Sequence, residues 1–140
     1  MEYMLDTNAL IHVTTDHESL DRNVAAIVQD YDNTFCVSTE SIKELIIAYK
    51  NKGFKIRGWK TADEMVESIT ANYGIRIIPV DRNVLRTYAK LTTNDAQGHK
   101  DPSDHIIISH AMTLGVPLIS SDLRFPYYTK QGLKLIFNKK

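Results

Sequence analysis

Apolar positions along the chain follow two alternating rhythms: short continuous runs that suit buried strands, and longer stretches spaced three and four residues apart that suit helices. Tyr3 to Leu5 is the first short run, and Asp6-Thr7-Asn8 turns it into a helical segment carrying Ala9, Leu10, Ile11 and Val13. Leu20 to Tyr31 repeats the helical spacing with Val24, Ala25, Ile27 and Val28. Asp32-Asn33 then makes a turn, and Thr34 to Val37 predicts a second strand. Ser38 caps the next helix, which places Ile42, Leu45, Ile46 and Tyr49 on one side and Glu40 and Glu44, one turn apart, on the other. Thr61 caps a helix through Ala71, Gly74 ends the turn after it, and Ile75 to Val80 predicts a third strand. Asp81 opens a helix with Val84, Leu85, Tyr88, Ala89 and Leu91 towards the core, and Thr92 to Lys100 is a polar loop.

That loop delivers the chain to His99-Lys100-Asp101-Pro102-Ser103-Asp104. Asp101 is a helix N-cap, Pro102 takes the first helical position where a missing N–H costs nothing, and Asp104 lies in the first turn near the positive end of the helix dipole. The apolar run Ile106 to Ile108 buries this helix, so its acidic mouth must face water, a cation or a ligand. Gly115 stops the helix, Val116 to Ser120 predicts a fourth strand, Asp122 lies in the following turn, and Leu133 to Phe137 predicts a fifth strand.

Strands alternating with helices imply an α/β domain with a mainly parallel sheet covered on both faces. Ligands of such sheets bind beyond the carboxyl ends of the strands, where strand order reverses. Asp6 and Asp122 both stand at strand ends. If the first and fourth strands are neighbours, these two acids meet, and Glu44 and Asp104 reach them from adjacent helices. Each acid also has a plainer reading: Asp6 and Asp101 as helix caps, Glu40 and Asp104 as partners of a helix dipole. Periodicity alone does not choose between Glu40 and Glu44.

Composition narrows the class. A chain of 140 residues, 43% hydrophobic and 24% charged, fits one soluble domain spanning residues 1–140 with a proper core. No apolar run approaches the roughly 20 residues that cross a bilayer, and no signal peptide precedes the first strand, so a cytoplasmic protein with no membrane partner is expected. The single Cys36, between Phe35 and Val37, reads as a small buried hydrophobe. With 17 basic and 17 acidic residues the net charge is zero, which gives no global signature of nucleic acid binding. A cation neutralising Asp6, Glu44, Asp104 and Asp122 would leave a basic excess over the rest of the surface. Lys50, Lys52, Lys55, Arg57 and Lys60 crowd around Phe54 and Trp59 in the irregular stretch 51–61. Such a segment offers cations for phosphate and flat faces for bases, apolar anchors for a partner helix, or simply a solvated surface.

Four segments together carry a family resemblance: Leu5-Asp6-Thr7-Asn8, Ser38 to Leu45 with Glu44, His99 to Asp104 running into Ile107 and Ala111, and Leu118 to Asp122 followed by Phe125 and Tyr128. In order and separation they resemble a PIN-domain ribonuclease of the VapC toxin type over nearly the whole chain. The resemblance implies a three-layer α/β/α fold around a five-stranded sheet of order 3-2-1-4-5. It selects Glu44 over Glu40 and Asp104 over Asp101 as the second and third acids. Two departures stand out: His105 where many relatives have Arg, and Ser120 where many have Thr.

Carboxylates with an Asn carbonyl suit a hard cation, Mg²⁺ or Mn²⁺, whereas the five histidines show no ligand spacing with Cys36 that would suit zinc. On this reading Asp6, Asp104 and Asp122 bind metal or orient its water, Glu44 is a further ligand or a water-positioning base, and Asn8, Ser120 and Asp101 support them. The expected activity is endoribonuclease cleavage leaving a 5′ phosphate and a 3′ hydroxyl, in a toxin that inhibits translation. Its expected partners are RNA, a cognate antitoxin that inserts a basic side chain among the acids, and a second copy in a homodimer. Lys52, Lys55, Arg57 and Trp59 are the expected contacts to RNA or antitoxin. Three other readings stay open: a housekeeping RNA-maturation nuclease, a non-catalytic binding domain, and a phosphatase with Asp6 as nucleophile, for which Asn8 stands where a second Asp is usual.

Overall fold

The computed structural model describes residues 1–52 and 59–139. Five strands form one sheet: β1 (Glu2–Leu5), β2 (Thr34–Ser38), β3 (Arg76–Ile78), β4 (Leu118–Ser120) and β5 (Leu135–Phe137). All the pairings are parallel, and the order is β3-β2-β1-β4-β5, as the resemblance implies. The helices are α1 (Thr7–Thr15), α2 (Arg22–Gln29), α3 (Thr39–Lys52), α4 (Ala62–Tyr73), α5 (Arg82–Lys90) and α6 (Pro102–Leu114), with short 3-10 turns at His17–Ser19, Asp95–Gln97 and Phe125–Gln131.

Alternation along the strands sorts the core into two layers. Tyr3, Leu5, Val37 and Ile119 point to one face, where they pack with Leu10, Val24, Leu45, Met65 and Ile69 of α1 to α4. Met4, Cys36 and Leu118 point to the other, against Ile107, Ile108 and Ala111 of α6 and against Phe125 and Tyr128. Each fully buried Leu or Ile contributes roughly 2–3 kcal/mol by leaving water. Cys36 is completely buried, and burial pushes its thiol up to about 12, so it behaves as the small hydrophobe expected.

Capping follows the sequence closely. The side chains of Asp6, Asp21, Thr61, Asp81 and Asp101 each accept a backbone N–H in the first turn of the helix they precede. Gly115 ends α6 in the left-handed conformation, φ 69°, that a residue with a Cβ rarely adopts. The later strands are shorter than the apolar runs predict. β3 stops at Ile78, just before Pro79, and β4 starts at Leu118, just after Pro117, because proline supplies no N–H to a ladder.

The order places the reversal between β1 and β4: the chain builds outward through β2 and β3 on one side, then returns to start β4 on the other. Leu5 pairs with Ile119, and the Asp6 amide donates to the Ile119 carbonyl at 3.2 Å. The two strand ends that carry Asp6 and Asp122 are therefore neighbours.

Candidate active site

At that edge a cavity of about 200 Å³ is lined by Asp6, Thr7, Asn8, Glu44, Asp101, Asp104, Asp122 and Arg124. Its four expected acids come from four places: the β1 end, the middle of α3, the first turn of α6, and the turn after β4. Asp6 is 5% exposed and its Oδ1 accepts the Ala9 N–H at 2.8 Å, so one carboxylate both caps α1 and faces the cavity. Burial pushes its pKa up to about 7. The Ser120 hydroxyl and the Ala9 amide pull the other way, and the charges of Asp104 and Asp122 add to the rise.

Glu44 Oε1 accepts a 2.6 Å hydrogen bond from Thr7 Oγ1, which fixes its orientation. Burial raises its pKa, and although the Thr7 bond opposes this, Asp101, Asp104 and Glu40 add to it. Asp104 is raised by burial, less the hydrogen bond from His99, whose Nε2 lies 2.9 Å from Asp104 Oδ2. Asp122 moves the opposite way. Burial alone would raise it, but Arg124 outweighs burial by closing on both oxygens: its amide and Nε donate to Oδ1 at 2.8 and 3.0 Å, and Nη2 to Oδ2 at 2.7 Å. The same Nη2 stands 3.7 Å from Asp104 Oδ2.

The supporting residues divide. Asn8 lines the cavity; Ser120 is buried beneath it, its hydroxyl accepting the Asp122 amide at 3.1 Å. Asp101 caps α6 through the Ser103 amide and also brings a carboxylate oxygen within 4.8 Å of oxygens from Glu44 and Asp104. Glu40, which periodicity left level with Glu44, lies elsewhere: its Oε1 accepts from Ser103 Oγ at 2.8 Å and pairs with Lys43, clipping α3 to α6. Lys55 and Arg57 lie outside the described residues, as does the side chain of Lys52. Trp59 is 9% exposed and packs in the core, and its backbone carbonyl accepts from Tyr49 Oη at 3.0 Å.

The sequence reading gave no role to His99, Arg124 or Thr7. His99 is 1% exposed, Arg124 is the cavity's basic lining residue, and Thr7 sits inside the Asp6-Thr7-Asn8 turn already singled out. His105, the departure noted above, is buried and donates from Nε2 to the His99 carbonyl at 2.9 Å, with burial holding its pKa down. A ring fills this place without leaving a charge in the core.

A PIN domain model matches residues 3–131. The chain belongs to the PIN domain family. No curated protein sequence matches it significantly. Among solved structures, VapBC2 from Rickettsia felis, bound to a DNA fragment from its promoter, superposes at TM-score 0.68 with 20% identity over 99% of this chain and 100% of that one. VapBC-1 from nontypeable Haemophilus influenzae gives 0.68 and 20% over 100% of both chains. VapBC-5 from Mycobacterium tuberculosis, a member of the VapBC family of toxin-antitoxin systems, gives 0.58 and 16% over 99% and 98%. At these identities the likeness establishes the PIN fold. Among the described residues of this PIN domain no helix is long and apolar enough to cross a membrane.

The donor set fits a divalent cation. Carboxylate oxygens of Glu44, Asp101 and Asp104 come within 4.8 Å of one another, and burial with mutual repulsion holds the carboxyls of Asp6, Glu44 and Asp104 above their ordinary range. A bound cation would relieve that strain, and an oxygen set selects a hard one.

Proposed function

We propose that this PIN domain is a metal-dependent endoribonuclease, using Mg²⁺ or Mn²⁺, and that it is the toxin of a toxin-antitoxin pair. One observation carries the catalytic part: Asp6, Glu44, Asp104 and Asp122 arrive from four elements at a single cavity where strand order reverses. A divalent cation held there by Asp6, Asp104 and Asp122 would lower the pKa of water and offset charge growing on a phosphodiester in transit. Glu44 takes the proton of the attacking water. Thr7 already occupies Oε1, which leaves Oε2 for it, and the raised pKa of the carboxyl makes it a stronger proton acceptor than an ordinary glutamate. Asn8 holds water and substrate at the cavity mouth, while the Thr7 hydroxyl stays on Glu44.

The toxin reading draws on the structural relatives, one of which is named as a member of a toxin-antitoxin family. It also draws on a groove of about 510 Å³ between α1 and α3 that shares Thr7, Asn8 and Glu44 with the cavity and adds Ile11, Ile47 and Ala48. An antitoxin segment lying there would reach the carboxylates with a basic side chain, an electrostatic match that favours fast association. Self-association as a homodimer belongs to the same proposal and is read from the mass in solution.

The deciding experiment pairs purified wild-type protein with a mixed-sequence RNA. Cleavage is expected with Mg²⁺ or Mn²⁺ and none with EDTA. Cleavage undiminished by EDTA would remove the metal mechanism. Expression without a partner is expected to arrest growth, and normal growth with active enzyme would leave a maturation nuclease in place of a toxin.

A further inference from the structure

Beneath the carboxylate cavity runs a line of polar groups that reaches no solvent. Asn94 and His99 are 1% exposed and Tyr128 is fully buried. The Asn94 amide donates to Tyr128 Oη at 3.0 Å, Tyr128 Oη lies 2.9 Å from His99 Nδ1, and His99 Nε2 lies 2.9 Å from Asp104 Oδ2. The direction of each bond follows from what each group can do. A backbone amide only donates, so the phenol oxygen accepts from Asn94. The phenol's own proton has His99 Nδ1 as its acceptor among the described residues, and an unpaired buried O–H is strongly unfavourable. Nδ1 thus carries the lone pair, and Nε2 carries the proton that is directed at Asp104.

The loop is braced to keep this aim. His105 Nε2 donates to the His99 carbonyl at 2.9 Å, and the two rings meet edge to face at 4.8 Å between centroids. Phe125 also packs on His99, with centroids 5.5 Å apart. Asp104 Oδ2 is engaged by His99, while Oδ1 has no hydrogen-bond donor among the described residues.

We infer that His99 is a positioning residue for Asp104: an Nε2–H donor, its tautomer set by Tyr128, that holds one carboxylate oxygen so that the other is free for a cation. The inference rests on the metal-dependent reading above and deepens it. It also separates two roles that distance leaves open. A ring nitrogen of His99 lies within 4.8 Å of oxygens of Asp104 and Asp122, as a metal ligand would. A nitrogen bearing a proton has no lone pair to give, so His99 orients a ligand and the donors to the cation are oxygens.

The test uses the full chain with ¹⁵N-labelled histidine, alongside calorimetric titration of Mn²⁺ into metal-free protein. The ¹⁵N shifts and one-bond couplings of His99 are expected to show a protonated Nε2 and a bare Nδ1, before and after saturation with Mg²⁺. His99→Leu is expected to weaken Mn²⁺ binding about tenfold or more, and His99→Gln, whose amide N–H can still donate to Asp104, is expected to recover most of that loss. Tyr128→Phe removes the proton that sets the tautomer. It is expected to weaken Mn²⁺ binding and to shift the His99 signals towards a tautomer mixture, which keeps the proposal testable should His99→Leu fail to fold. A proton on Nδ1, loss of the Nε2 proton on Mg²⁺ binding, or wild-type Mn²⁺ affinity in folded His99→Leu would each overturn it. Mn²⁺ binding by wild type without RNA cleavage would defeat the nuclease reading and leave His99 in place; no Mn²⁺ binding by wild type would overturn both.

Discussion

The two sides of the cavity answer the same electrostatic problem differently. On the β1 and α6 side, Asp6, Glu44 and Asp104 crowd together with hydroxyl, amide and imidazole donors, and their carboxyls rise above the ordinary range. On the β4 side, Asp122 is gripped at both oxygens by Arg124 and its carboxyl falls below that range. Arg124 grips Asp122 at 2.7 Å and only approaches the other side, its Nη2 standing 3.7 Å from Asp104 Oδ2. A cation from solution would be drawn more strongly to the carboxyls that are raised, and Arg124 would compete with it for Asp122.

Breaking the first side should have the largest effect. Asp6 titrates near 7 in the folded chain and near 3.8 once unfolded, so the metal-free fold holds an extra proton between those values. Its contribution to stability is complete below about pH 4 and lost as pH rises through 7, an effect on the order of a few kcal/mol at most. Asp6→Asn keeps the cap to Ala9 and cannot ionise. In EDTA at pH 7.5 it should melt higher than wild type, and its melting temperature should lose this decline between pH 4 and 7. Adding Mn²⁺ should then raise wild type far more than the variant. A variant that melts lower than wild type in EDTA would show that Asp6 is not held against its charge.

Arg124→Ala sharpens the contrast from the other side. Without the guanidinium, Asp122 becomes another carboxylate without a cation, so the metal-free protein should melt lower at neutral pH while its gain on saturating Mn²⁺ grows. The pair is partly exposed, which keeps the shift smaller than that of Asp6→Asn. Equal gains in wild type and variant would mean that Arg124 and the metal do not compete. The smallest effect belongs to Asp101→Asn. Asn also caps well, so a stability loss of about 1 kcal/mol or less in denaturant titration and near-normal cleavage are expected. A collapse of activity would promote Asp101 from support to ligand.

Much of this was legible before any coordinates. Caps at Asp6, Thr61, Asp81 and Asp101 and the stop at Gly115 follow from local chemistry, and local chemistry survived folding. Strand order and the choice of Glu44 came through resemblance, since periodicity gives a face of a helix but not what that face meets. His99 and Arg124 stayed hidden for a related reason. A histidine in a polar loop and an arginine in a turn have no periodic signal; only the tertiary approach of Tyr128 to His99 and of Arg124 to Asp122 gives them meaning. Trp59 stands among lysines in the sequence and packs in the core of the fold, a placement that no local pattern announces.

The most direct test of the central claim is RNA cleavage by Asp6→Asn, Glu44→Gln, Asp104→Asn and Asp122→Asn, each purified free of wild type and assayed with Mg²⁺ or Mn²⁺. Four folded variants that have each lost most activity are predicted. Robust metal-dependent cleavage by Asp6→Asn would contradict the assignment.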